Sequence, residues 1–157
     1  MKTQRYYWIT TNVRHTIILE EQELLKHERT IRLTVDQRYQ ENLHLPAWYL
    51  PGLAFGPENF LIWCGTRVYI ANYEKEKSLA LDLSDEVITA YSIEDLWCLV
   101  CETSIALFDS SFGKEISRFQ HSEVILRSWW AGEVLFIEDF EHRVLEVNLG
   151  PSGLDVK

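Results

Sequence analysis

Between Asn59 and Trp130, short apolar runs and polar turns alternate in an order that occurs twice. Phe60-Leu61-Ile62-Trp63-Cys64 is a continuous apolar run, Gly65-Thr66 a tight turn, and Arg67 to Ala71 a second run that stops at Asn72. A charged turn from Tyr73 to Lys77 follows, then Leu79 to Leu83, the polar Ser84-Asp85-Glu86, and Val87 to Ile93. Runs of this length, rich in β-branched and aromatic residues and bounded by turn residues, predict four strands joined by hairpin-length turns. Leu96 to Cys101, Thr103 to Phe108, the turn Asp109 to Lys114, Glu115 to Phe119 and Val124 to Trp130 repeat each step. A shift of 37 places (105 − 68 for Val68 and Ile105) lays Cys64, Thr66, Lys77, Glu86, Val87 and Ile88 on Cys101, Thr103, Lys114, Glu123, Val124 and Ile125 without a gap. A period of roughly 20 to 50 residues marks a repeated supersecondary unit.

The pattern extends in both directions. Val134 to Ile137 and Arg143 to Asn148 begin a third copy, and Asn72, Asp109 and Asn148 fall at equivalent turn positions, where an Asx side chain bonds its own backbone. Upstream, Glu20 to Arg29 reads as a helix or as a hairpin with its turn at Lys26 to Arg29; the period-two alternation of Thr30 to Val35 favours the hairpin. Asp36 to Glu58 reads as a long loop, polar at first and then punctuated by Pro46, Pro51, Gly52, Gly56 and Pro57 around Trp48 and Tyr49. Loops of that length often carry function. Tyr6 to Thr10 and His15 to Leu19 read as two further strands around a turn at Asn12-Val13-Arg14. The expectation is a single all-β domain over residues 1–157, with repeat units near 22–58, 59–95, 96–132 and 133–149, the last completed by residues 5–19. Such strand exchange removes exposed sheet edges.

The stretch Trp97-Cys98-Leu99-Val100-Cys101-Glu102-Thr103-Ser104-Ile105-Ala106-Leu107-Phe108-Asp109, followed by Gly113-Lys114-Glu115-Ile116, resembles the blades of β-propellers of the WD and quinoprotein-repeat type. The chain departs from the WD pattern in having no Trp-Asp dipeptide and no Gly-His opening. The resemblance implies a small propeller of about four blades. An open or dimer-completed arrangement, or a two-sheet β-sandwich of duplicated hairpins, is the alternative.

A content of 46% hydrophobic and 13% aromatic residues with only 7 Gly and 4 Pro excludes a disordered or low-complexity chain. A net charge of −9 argues against nucleic acid, whose binding draws on clustered Lys and Arg, and suits a basic protein partner instead. No window approaches a membrane span, so a soluble, cytoplasmic protein is expected. Three cysteines fit a reducing compartment. Cys98 and Cys101 stand three apart in a predicted strand, on opposite faces, and read as buried thiols rather than half of a zinc knuckle.

No pattern for catalysis, metal or cofactor binding is present. The five histidines lack metal-ligand spacing, and His121 and His142 fall in turns where an exposed imidazole is the default. No nucleophile elbow, dinucleotide fingerprint or phosphate loop occurs, and no cofactor is expected. Asp85, Glu86, Glu138 and Asp139 sit in predicted turns. Solvated turn charge is their plain reading, an acidic contact surface the functional one, and a paired-carboxylate hydrolase the alternative. The aromatic candidates are Trp129 and Trp130, adjacent in a strand and therefore on opposite faces, and Trp48 and Tyr49 in the proline-bounded loop. The function expected is a non-enzymatic protein-interaction module, concretely an immunity-type inhibitor covering a basic toxin domain, with homo-oligomerisation compatible.

Overall fold

A computed structural model of the chain describes residues 8–11, 15–74, 78–109, 114–150 and 153–157. The chain forms two compact units, Met1–Leu83 and Ser84–Lys157. The described elements are all strands, in four antiparallel sheets of four.

The first unit holds two of these sheets. Sheet A is β1 (Trp8–Thr11), β2 (Thr16–Leu24), β3 (Glu28–Val35) and β4 (Tyr39–Pro46); sheet B is β5 (Gly52–Phe55), β6 (Asn59–Cys64), β7 (Arg67–Asn72) and β8 (Ser78–Asp82). In β2 and β3 the period-two alternation is explicit: Ile17 and Leu19 face the core with Ile31, Leu33 and Val35, while the residues between them are half-exposed. Leu43 and Leu45 of β4 join that face and meet Phe60, Ile62 and Tyr69 of sheet B in one apolar cluster. Each fully buried aliphatic or aromatic side chain there stabilises by about 1.5–3 kcal/mol. The β3–β4 turn places Asp36 and Gln37 at positive φ, and the Asp36 carboxylate accepts from the Thr16 amide at 2.8 Å and contacts His15 Nδ1 at 2.7 Å.

The second unit repeats the arrangement. Sheet C is β9 (Val87–Ile93), β10 (Leu96–Cys101), β11 (Ser104–Asp109) and β12 (Glu115–Gln120); sheet D is β13 (Ile125–Ala131), β14 (Val134–Asp139), β15 (Val144–Gly150) and β16 (Gly153–Val156). Its core joins Cys98, Val100, Ile105 and Leu107 to Ile125, Leu135, Ile137 and Val147. The 37-residue period holds to the level of registry: Trp63 pairs with Val68 in β6–β7 as Val100 pairs with Ile105 in β10–β11. It also recurs between neighbouring sheets of one unit, where hydrogen bonds link Glu41 to Ser78, Tyr91 to Ser128, and Ser117 to Leu154.

Three details differ from the sequence expectation. Each sheet starts one strand earlier than the repeat units did, because β5, β9 and β13 pair forward into the following hairpin. β1 and β2 belong with β3 and β4 rather than completing the last unit, and sheet D has its own fourth strand, β16. The supposed loop from Asp36 to Glu58 contains β4 and β5: Tyr39, Leu43 and Leu45 alternate with exposed Gln40, Asn42 and His44, a half-buried strand whose polar face masked it. The hairpin reading of Glu20 to Val35 is what forms. Tyr6, Tyr7, the Asn12 to Arg14 turn, and the turn residues 75–77 and 110–113 lie outside the described residues.

Candidate functional site

The Trp48 loop, between β4 and β5, is held by groups buried beneath it. Glu21 lies in line with Ile17 and Leu19 on the core face of β2, and Arg29 with Ile31, Leu33 and Val35 on that of β3. The two charges meet at 3.0 Å between Arg29 Nε and Glu21 Oε1, both almost fully buried. From there Arg29 Nη2 donates to the Ala47 carbonyl at 3.3 Å. The Cys64 thiol, at the end of β6, lies 3.4 Å from the Pro46 carbonyl and 3.3 Å from that of Tyr49, and its one hydrogen can go to either. Burial pushes this thiol up to about 11, against the opposing charge of Arg29. The Ala47 amide donates to the His27 carbonyl at 3.3 Å, tying the loop to the β2–β3 turn.

With its carbonyls turned inward, the loop turns its side chains out. Trp48 is 68% exposed, Leu50 65% and Leu25, in the adjoining turn, 54%; Leu24 and Tyr49 are exposed too. The Trp48 ring lies 5.4 Å from that of His27. Two glycines fix the underside. Gly65 has φ +60° and a Cβ there would stand 2.9 Å from the Tyr49 ring; a Cβ on Gly52 would lie 2.2 Å from the Trp63 indole. The result is a set of exposed apolar side chains on a loop and an adjoining turn that are tied together, on a pre-organised support, with exposed Glu23 and Glu28 on the strands that flank the turn. Binding hot spots are built of such tryptophans, and pre-organisation lowers the entropic cost of using them.

The remaining candidates are committed in other ways. Trp129 and Trp130 do face opposite ways. Trp130 meets Tyr91 edge-on at 5.4 Å and packs on the core of its unit, whereas Trp129 stacks on Phe136 at 5.8 Å beneath the Arg127 guanidinium, 5.0 Å away. The Asp85 carboxylate accepts from the Thr103 amide at 2.8 Å and from the Thr103 and Ser104 hydroxyls at 3.0 and 2.9 Å, clamping the strand-to-strand loop before β9 onto the β10–β11 turn. Glu86 lies beside Glu102 and its charge raises that carboxyl above its ordinary value. Glu138 pairs with Arg127 and His142. No group of three or more His, Cys, Asp or Glu placed to hold a metal occurs among the described residues.

Asp139 and His121 depart from the expectation of solvated turn groups. Asp139 is fully buried and contacts His121 Nε2 at 2.9 Å, the Arg143 amide at 2.9 Å and Arg143 Nε at 3.0 Å. Burial alone would raise the carboxyl; these donors and the Arg143 charge outweigh it and hold it down at about 2. The cause is topological: the loop preceding β13 folds over the β14–β15 turn and covers both side chains. The signal for the Trp48 support, by contrast, was present in the alternation, which puts Glu21 and Arg29 on core-facing positions of neighbouring strands. Leu24 and Leu25 sit in a charged stretch, Gln22-Glu23 before and Lys26-His27 after, whereas Leu50 stands among aromatic and proline neighbours and carried no signal of exposure.

Four-stranded antiparallel sheets repeating at a fixed period define a chain of the β-propeller class. No family model matches the chain, and no curated protein matches its sequence. Among solved structures it is similar to the WD40 domain of Toxoplasma gondii coronin, at 11% identity and a TM-score of 0.61, with 99% of this chain and 49% of that one covered. The C-terminal WD40 domain of Sif2 is similar at 13% identity and a TM-score of 0.63, covering 96% and 55%. The computationally designed Ika4 protein is similar at 10% identity and a TM-score of 0.60, covering 85% and 86%. The likeness is one of fold, and the chain spans about half the length of the WD40 chains it matches.

Proposed function

We propose that the protein is a β-propeller-type interaction module that docks a protein partner on the apolar surface of Leu24, Leu25, Trp48 and Leu50. The observation that carries this reading is the Trp48 loop: a buried ion pair and a buried thiol hold its carbonyls so that a tryptophan and a leucine, both about two-thirds exposed, stand in solvent. An apolar side chain held out at this expense to the interior is best accounted for by a surface that covers it. Similarity to WD40 domains supports the scaffold role.

The partner that fits is a basic protein. The chain carries a net charge of −9, and the exposed acids Glu23 and Glu28 border the patch, an arrangement that speeds encounter with a positively charged surface. An immunity-type inhibitor that covers a basic toxin domain is the concrete version of this reading, and the three free, buried cysteines suit a reducing, cytoplasmic setting. Affinity capture from the native cell, run in parallel with the wild-type chain and the Trp48→Ser/Leu50→Ser variant, tests it. A basic protein held by the first and lost by the second, with the variant melting as the wild type does, is the expected result. Equal capture by both refutes the site.

A further inference from the structure

The negative charge of the chain is unevenly divided. Residues 84–157, the second unit, hold five Lys and Arg against fourteen Asp and Glu, a net charge of −9 (5 − 14), whereas residues 1–83 hold ten of each. The arginines of the second unit, Arg118, Arg127 and Arg143, each already pair with a carboxylate, those of Glu115, Glu138 and Asp139. At one end of this unit β9 and β13 begin and the β10–β11 and β14–β15 turns lie beside them. Backbone hydrogen bonds tie that end together: the Glu102 amide donates to the Glu86 carbonyl at 2.8 Å, the Ile125 amide to the Glu102 carbonyl at 2.7 Å, and the Phe140 amide to the Val124 carbonyl at 2.8 Å. β9 and β13 each open with a bulge. Val87 and Thr89 pair with the successive residues Cys101 and Val100 and leave Ile88 extra; Ile125 and Arg127 pair with Asp139 and Glu138 and leave Leu126 extra. A bulge residue stands outside the ladder, and bulges re-aim side chains at functional edges. A polar residue would serve there as well, yet both are large, apolar and exposed, and Phe140 in the adjoining turn is 66% exposed.

We propose that this end of the second unit docks a basic segment of a partner protein, with an apolar side chain of the segment against Leu126 and Phe140 and a Lys or Arg against Glu86 and Glu102. Charge complementarity selects the occupant. The field of a unit at −9 attracts a cationic segment and repels phosphate-bearing partners. Asp85 is committed to Thr103 and Ser104, but Glu86 and Glu102 stand side by side, and the Glu86 charge opposes ionisation of the Glu102 carboxyl. A cation brought to both relieves a repulsion that the unbound chain carries, so the pair favours binding although it disfavours folding. The exposed Ile88, Leu126 and Phe140 supply the apolar contact that fixes where such a segment sits. This surface and the Trp48 surface lie in different units, so either assignment can fail without the other.

Selection of a displayed library of random short peptides on the full chain, with Leu126→Ser/Phe140→Ser as the counter-selected variant, identifies the segment this surface prefers. Peptides that combine Lys or Arg with a large apolar residue are expected. One of them, made synthetically, should bind about tenfold or more weakly to Phe140→Ser and to Glu86→Gln/Glu102→Gln, and as well to Trp48→Ser as to the wild type. The two glutamines remove a repulsion, so that variant should melt no lower than the wild type while its affinity falls, a combination that a merely structural role for the two acids does not give. Absence of enrichment over the counter-selection overturns the proposal, as do enriched peptides without Lys or Arg and an affinity indifferent to the two glutamines. Peptides lost with Trp48→Ser and kept with Phe140→Ser overturn it too, and favour the Trp48 surface.

Discussion

Replacing Arg29 by methionine keeps an unbranched side chain about as long as the arginine's aliphatic stem and removes the charged guanidinium, so it tests what the buried ion pair does for the Trp48 loop. Glu21 and Arg29 are 1% and 6% exposed at their side chains, and removing one partner of such a pair leaves the other charge buried without compensation. That costs about 3–5 kcal/mol. In a chain of this length each kcal/mol lowers the melting temperature by about 2–4 °C, so Arg29→Met should melt about 6–20 °C below the wild type. Glu21→Leu should cost a similar amount. The double variant removes both charges together, and apolar replacement of a buried pair is often near neutral, so it should recover most of the loss. Full recovery is not expected, because the Ala47 carbonyl has lost its donor in both variants that lack Arg29. Circular dichroism melts of the four proteins form a complete double-mutant cycle. A single-variant shift of no more than a couple of degrees, or a double variant as unstable as the two single losses added together, would refute the reasoning.

Acid should act through carboxyls held below their ordinary values. The Asp139 carboxyl falls from 3.8 to about 2 in the folded chain, so its stabilisation is complete above pH 4 and is lost as pH falls toward 2; the lowered Asp36 carboxyl adds in the same direction. Wild-type melting temperature should therefore decline across that window, while Asp139→Asn should start lower at pH 7 and decline less steeply. Gly52→Ala places a methyl group 2.2 Å from the Trp63 ring and should destabilise by about 1–3 kcal/mol, read in a urea titration; a variant as stable as the wild type contradicts the packing described beneath the loop.

How far the fold could be read from the chain depended on what each strand faces. β6, β7, β10 and β11 are buried on both sides, and their unbroken apolar runs stood out together with their 37-residue spacing. β4 is buried on one side only, and its Gln40, Asn42 and His44 gave it the look of a loop. β5 and β16 have four residues each, too few to show a period. A repeat has no intrinsic starting point, so the period was legible and the sheet boundary was not; hydrogen bonding of β5, β9 and β13 to the strand after each one decides it. The Trp48 loop was legible as a place, from its prolines and aromatics. The alternation of β2 and β3 also carried Glu21 and Arg29 onto the core face, but not what they hold, since nothing local connects Arg29 and Cys64 to carbonyls 18 and 15 residues away in the chain. His121 and Asp139 sit 18 residues apart, one in the loop before β13 and one at the end of β14, and their burial follows from the fold alone.

The proposed docking surface stands or falls with Trp48 as its binding anchor rather than an incidental exposed ring. Titration calorimetry of the captured partner against the wild-type chain and Trp48→Ala measures this directly. Loss of a hot-spot side chain costs at least about 2 kcal/mol, so the dissociation constant should weaken by about 30-fold or more while the melting temperature stays where it was. A dissociation constant within about threefold of the wild type, less than about 0.7 kcal/mol, would contradict it.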